Sequence, residues 1–225
     1  MKKYIFNRFN FSNKYRKELL NYIKKMSNAE IGGTRFYDGS NNHYMQNPHE
    51  IVKLIYELKR YEKTVKKKFS SFLEIGFATG INNSLLNKMF NFKKIVAVDI
   101  VDMNAVNTNN FYANLRFKNL TLVCGNSTTQ NVIKNVTKLG NYDLIFIDGG
   151  HEYITVKQDF ENYKKLLSPN GVIVLHDIKS NIVEGVPKFW KEIKNNQKKN
   201  FYFKEIFDPG YMMECGLGLV IKKNR

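Results

Sequence analysis

Between residues 72 and 177 the chain alternates, almost without interruption, between short apolar runs and longer segments of helical spacing. The apolar runs fit strands at Phe72–Gly76, Lys94–Asp99, Leu120–Cys124, Tyr142–Asp148 and Gly171–Asp177. Helical patterns lie between them, near Ile81–Phe90, Asn104–Ala113, Thr129–Leu139 and Thr155–Leu167. In the last of these Val156, Phe160, Tyr163 and Leu167 share one face, and Pro169-Asn170-Gly171 stops the helix. Such alternation predicts an α/β fold: a doubly wound parallel sheet with helices on both faces. After Asp177 the rhythm changes. A helix around Val186–Lys194 carries Pro187 in its first turn, and Phe201–Phe207 and Gly216–Ile221 follow with no helix between them. Those last two runs suit an antiparallel pair.

The N-terminal part, residues 1–46, reads differently. Ser12–Met26 is amphipathic, with Ser12 as cap and Tyr15, Leu19, Tyr22, Ile23 and Met26 in one stripe. Asn28–Gln46 is a long polar loop, and loops of that length in a compact chain tend to be functional. This region is expected to cover an acceptor or to form an oligomer contact. The main domain, 47–225, opens with a well-signalled helix. Asn47 caps it, Pro48 takes its first position, Glu50 completes a capping box, and Ile51, Leu54, Ile55 and Leu58 form its buried face.

Composition narrows the partners. With 225 residues and 43% apolar content the chain can bury one sizeable core. No apolar run reaches the length of a membrane span, and Asn7, Arg8 and Asn10 break what Met1-Lys2-Lys3 could begin as a signal peptide. Two cysteines, Cys124 and Cys215, in strand-like settings fit a reduced, cytoplasmic protein. The net charge of +16 admits a nucleic-acid partner. The lysines are dispersed, however, from Lys24-Lys25 to Lys222-Lys223, without an arginine cluster. That pattern favours a lysine-rich surface over a nucleic-acid footprint.

In an open α/β sheet the ligand lies beyond the carboxyl ends of the strands. Here those ends carry Glu74, Asp99, Asn126, Asp148 and Asp177. Any one of them could be a helix cap; together they point to a shared binding rim. The first end leads into Gly76-Phe77-Ala78-Thr79-Gly80 and then a helix. Its Gly-x-x-x-Gly spacing fits neither the dinucleotide fingerprint nor the phosphate loop, yet it lets backbone amides approach a ligand.

The stretches Leu73–Gly80, Val98-Asp99, Ile147–Tyr153 and Pro169–Asp177, with Phe189-Trp190 and Gly216-Leu217-Gly218, resemble the class I S-adenosylmethionine-dependent methyltransferases. The resemblance is nearest to the branch of sugar and macrolide O-methyltransferases and cephalosporin-hydroxylase-like proteins. It runs from about Gln46 to the end and leaves the first forty-five residues uncovered. It implies a Rossmann-like seven-stranded sheet, mostly parallel with an antiparallel C-terminal strand, after N-terminal helices. For the cofactor, S-adenosylmethionine, it implies Glu74, Gly76, Phe77, Ala78 and Gly80 at the methionine end and Asp99 and Ile100 at the ribose. Asn126 and Ser127 fall at the adenine, where the family's Gly-Asp-Ser has become Gly125-Asn126-Ser127. Asp148 borders both cofactor and acceptor.

A hydroxyl acceptor needs a general base or a divalent metal. The resemblance makes His151 the base, with Asp148 beside it, and Asp148 and Asp177 the holders of Mg2+. His176 and Ile178 flank Asp177, so that shell is short of one oxygen ligand. Asp208-Pro209-Gly210-Tyr211 lacks the second proline of amino-methylating enzymes and comes too late in the chain. The expected activity is O-methylation of a sugar or glycosylated small molecule. The alternatives are a methyltransferase for RNA or protein, and a non-catalytic binding module on the same fold. A homo-oligomer is compatible with each.

Overall fold

The computed structural model describes residues 13–26, 46–78, 80–100, 119–209 and 214–223. The helix expected at 104–113, the cap Ser12 and the loop over 28–45 lie outside them. Two helices, α1 (Asn13–Met26) and α2 (Pro48–Val65), precede β1 (Ser71–Ile75), α3 (Ile81–Phe90), β2 (Lys94–Asp99) and β3 (Leu120–Cys124). Then come α4 (Gln130–Lys138), β4 (Tyr142–Ile147), α5 (Tyr153–Tyr163), β5 (Leu167–Leu175), α6 (Gly185–Asn196), β6 (Phe201–Ile206) and β7 (Leu217–Lys222). The seven strands form one sheet in the order β3-β2-β1-β4-β5-β7-β6. β3 to β5 are parallel, and β7 pairs antiparallel with both β5 and β6. The expected doubly wound sheet with an antiparallel C-terminal strand is what the chain builds.

Strand alternation sorts the core into two layers. Phe72, Leu144, Phe146, Val172 and Val174 face α2 and α3, packing with Ile51, Leu54, Ile55, Leu58, Leu85 and Phe90. Leu73, Ile75, Ile145, Ile147, Ile173 and Leu175 face α4, α5 and α6, packing with Val136, Phe160, Phe189 and Trp190. Central strands covered on both faces explain why β4 reads as an unbroken apolar run from Leu144 to Ile147. Leu19 of α1 is buried in the first layer, so this helix shares the main core. On the other layer Gly218 passes flat against Trp190: a Cβ there would lie 2.6 Å from the indole ring. That contact accounts for Gly218, whereas Gly216, just before β7, takes φ +76°.

Two local expectations are corrected. Asn47 does cap α2, its Oδ1 accepting from the amides of His49 (2.9 Å) and Glu50 (3.4 Å). Glu50, however, does not close a capping box. Its carboxylate accepts from the amides of Asp208 (2.8 Å) and Gly216 (3.0 Å), tying α2 to the segment between β6 and β7. Burial pushes its carboxyl up to about 7. The second correction concerns β5, which starts at Leu167, with Pro169-Asn170-Gly171 inside it. The helix stops as expected, but the three residues loop out of register between the Tyr142–Leu167 and Leu144–Val172 pairs.

Candidate active site

Four backbone bonds lace the carboxyl ends of β3, β2, β1, β4 and β5 together. They run from Gly125 N to Asp99 O (2.8 Å), Gly76 N to Val98 O (2.9 Å), Asp148 N to Ile75 O (2.8 Å) and His176 N to Ile147 O (3.1 Å). The polar residues that follow each strand are thereby held on one rim. Gly76 is the tightest point of the lacing. Its φ is +87°, and a Cβ would lie 2.0 Å from the carbonyl oxygen of Asp148. The glycine is thus demanded by the neighbouring main chain, whatever ligand the loop takes.

Along this rim lies a cavity of about 340 Å³, within the range of small-molecule sites. Gly76, Ala78, Asp99, Ile100, Asn126, Ser127 and Asp148 line it, together with Gly149, Gly150 and Thr155. Seven of the expected cofactor residues thus share one cavity. Three do not. Glu74 is the penultimate residue of β1, so alternation turns it away from the rim and under α3, where it is 1% exposed. Its Oε1 accepts from Asn82 Nδ2 (2.7 Å) and its Oε2 from Asn83 Nδ2 (2.8 Å). Phe77 is buried against Ala97, Leu120 and Leu122, and Gly80 caps α3 with φ +72°.

Within the cavity two roles differ from expectation. Asp99 Oδ2 accepts from the amides of Phe77 and Ala78, both at 2.9 Å. Two amides expected to face the cofactor are instead turned onto Asp99, which therefore shapes the loop. Asn126 Oδ1 accepts from Thr128 N (2.9 Å) and Oγ1 (2.8 Å), so the oxygen expected for an adenine amino group serves a turn. Asp99→Ala removes the acceptor of both loop amides. It should weaken S-adenosylhomocysteine binding by roughly 1–3 kcal/mol in titration calorimetry, and Asp99→Asn by less.

Beside the cavity, past β4 and β5, five side chains converge, one of them Asp148, which also lines it. His151 Nε2 lies 3.1 Å from Asp177 Oδ2 and 3.7 Å from Asp148 Oδ1. His176 Nδ1 lies 3.0 Å from the same Asp148 oxygen and 3.2 Å from the same Asp177 oxygen. Gln46 Nε2 donates to the other Asp148 oxygen at 2.7 Å. Asp177 takes φ +61°, a left-handed conformation that Asp tolerates better than most side chains. Contacts with Asp148 and Asp177 push His151 up to about 10 despite its partial burial. Burial would raise both acids, but the two histidines outweigh it and hold them below the usual carboxylate range.

Sequence reasoning placed Asp148, His151 and Asp177 here and took His176 only as a flank of Asp177 that supplies no oxygen ligand. His176 is 5% exposed, yet its ring belongs to the cluster. Gln46 was missed: its partner is 102 residues away and no local pattern marks it. Two other grooves lack this chemistry. One of 390 Å³ runs beside α6, and one of 650 Å³ at the amino end of β5 is lined by Lys164, Lys165, Lys199, Lys222 and Lys223. Among the described residues no helix is long and apolar enough to cross a membrane.

Residues 73–178 match the family described as "Methyltransferase domain". A curated relative from Sinorhizobium fredii, called only an uncharacterized protein, is 43% identical over 54 residues. That match spans 23% of this chain and 6% of the relative. An O-methyltransferase from Bacillus cereus, in complex with S-adenosylhomocysteine, is similar in structure with a TM-score of 0.62 and 16% identity. The similarity covers 97% of this chain and 95% of that one. MycE, a methyltransferase from the mycinamycin biosynthetic pathway in complex with Mg, S-adenosylhomocysteine and mycinamycin VI, has a TM-score of 0.52 and 14% identity. It covers 78% of this chain, which spans only 54% of MycE. Such identities speak to the fold alone, and an N-methyltransferase and an rRNA methylase share it. With this strand order and this rim cavity, the chain has the fold of the class I S-adenosylmethionine-dependent methyltransferases, and its residues 73–178 are similar to a methyltransferase domain.

Proposed function

We propose that the chain transfers the methyl group of S-adenosylmethionine to a hydroxyl oxygen of a small uncharged acceptor, a sugar or glycosylated metabolite. One observation carries this reading: Asp148 lines the cofactor cavity and also belongs to the His151–Asp177 cluster. The end of the cavity where a methyl group would leave is therefore the end where a proton can be taken up. An amine can attack a sulfonium from its neutral form without a base, whereas a hydroxyl must lose its proton. A built proton acceptor at this position thus supports an oxygen nucleophile. The O-methyltransferase from Bacillus cereus and MycE with its bound mycinamycin VI support it as neighbours.

In the reaction the bond from carbon to sulfur breaks as the bond from carbon to the acceptor oxygen forms, in line. The hydroxyl proton passes to the free ring nitrogen of His151, while Nε2–H stays toward Asp177 at 3.1 Å, whose carboxylate steadies the imidazolium. Asp99 holds the Phe77–Ala78 loop in shape and presents its carboxylate to the cavity for the ribose. Asp148, Asp177 and a histidine also form a donor set that suits a divalent cation. Such an ion, when bound, lowers the pKa of a hydroxyl that it holds.

The test is methyl transfer from labelled S-adenosylmethionine to a panel of glycosides and nucleotide sugars, with total RNA alongside at low and high salt. Label in a glycoside, little affected by salt, is the expected outcome. Label in RNA that falls steeply with salt would replace this reading with a nucleic-acid one.

A further inference from the structure

We infer that His176 is a metal ligand, and that with Asp148 and Asp177 it makes a site for a nitrogen-accepting transition ion such as Zn2+ or Co2+ in preference to Mg2+. The inference rests on the methyltransferase reading for its purpose, and on the geometry of the cluster for its chemistry. His176 Nδ1 stands 3.0 Å from Asp148 Oδ1 and 3.2 Å from Asp177 Oδ2. Those are hydrogen-bond distances, yet neither ring nitrogen of this buried side chain makes a hydrogen bond of acceptable angle. The nitrogen thus stands between the two oxygens without being committed to either. Donors placed about 2.1 Å from a shared ion are about 3.0–3.4 Å from one another, and these two contacts fall in that range.

The set of donors argues further. Magnesium demands a shell of oxygen atoms, and His176 puts nitrogen where a third oxygen would be wanted. Imidazole suits Zn2+ and the later first-row ions, whereas Mn2+ is nearer to Mg2+ in its liking for oxygen. Cys215 stands in the same cluster, forming a second three-donor group with His176 and Asp177, and a thiolate is a still softer ligand. His151, with 46% of its side chain exposed, lies on the solvent side and remains for the acceptor. Gln46, bonded to the second oxygen of Asp148, fixes the direction in which that carboxylate offers the first.

The experiment uses the untagged full chain after chelator treatment, titrated with Zn2+, Co2+, Mn2+ and Mg2+ by calorimetry and, for Co2+, by visible absorption. One equivalent of Zn2+ or Co2+ should bind, about 100-fold or more tighter than Mg2+. His176→Ala should weaken Co2+ binding by at least about 100-fold, the upper end of what even an outer-sphere change costs. His176→Glu should restore an oxygen shell and move the preference toward Mg2+. No preference over Mg2+ in the unaltered chain, or unchanged Co2+ affinity in His176→Ala, overturns the inference. Should the His176 variants not fold, X-ray absorption of the Zn2+-loaded His151→Ala chain decides: an imidazole in the shell is expected, and its absence overturns the assignment. S-adenosylhomocysteine binding is measured in parallel. A chain that binds the metal as described but not this ligand keeps the metal site and loses the methyltransferase reading.

Discussion

Replacing His151 with alanine should lower kcat by about 100- to 10,000-fold, the span over which a positioned base contributes. The affinity for S-adenosylhomocysteine should stay where it was, because His151 is absent from the cavity wall. Unaltered turnover would mean that the proton leaves by another route. The same residue sets the direction of the pH profile. Only the neutral imidazole can take a proton, and Asp148 and Asp177 hold His151 near 10, well above its ordinary 6.5. In the chelator-treated chain the competent fraction therefore grows about tenfold per pH unit until the pH nears 10. kcat/KM should climb across pH 7–9 with a slope of about one. A profile already flat at pH 7 would remove His151 from the role of base.

What the sequence made legible divides along a physical line. Elements and their order were readable because they depend on local periodicity: β4 from its apolar run Leu144–Ile147, α5 as a stripe from Val156 to Tyr163. The rim residues Asp99, Asp148 and Asp177 were readable because strand ends are visible and the ligand side of such a sheet is known. Glu74 lies one residue inside the strand end. Because β1 runs through Ile75, the side chain before it turns to the α3 face, and period-two alternation makes that one residue decisive. Gln46 and Glu50 were illegible for another reason. Their partners, Asp148, Asp208 and Gly216, are brought to them by the whole fold, across 102 to 166 residues of chain. Glu50 in particular satisfied a local capping pattern that long-range amides then outcompeted. His176 was legible only as a flank of Asp177, because a histidine at a strand end carries no pattern that marks it as part of a site. Only the direction of its ring, toward two carboxylates, does so.

Glu74→Gln is expected to make folding stability much less dependent on pH while keeping S-adenosylhomocysteine affinity within about threefold. Burial pushes the Glu74 carboxyl up to about 8 from an ordinary 4.5, against the two asparagine amides that favour its ionised form. The folded chain thus keeps a proton on Glu74 between those pH values and the unfolded chain releases it. The associated stability is full below pH 4.5 and is lost as the pH rises toward 8. At about 1.4 kcal/mol per pH unit the loss reaches up to about 5 kcal/mol. Asn83 Oδ1 is buried without a hydrogen bond, so turning its amide over would give a protonated Glu74 an acceptor. Glutamine has the same shape and no proton to lose. Denaturant midpoints taken at several pH values should then show the variant gaining on the unaltered chain from pH 5 to 8. Glu50 and Asp159, raised to about 7 and about 6, titrate in both chains and cancel in that difference. Glu74→Ala should instead lose stability at every pH, since Asn82 and Asn83 at the head of α3 both lose their acceptor. If the glutamine variant lost S-adenosylhomocysteine binding with its pH dependence intact, Glu74 would be a cofactor ligand after all, and its place beneath α3 would need another account.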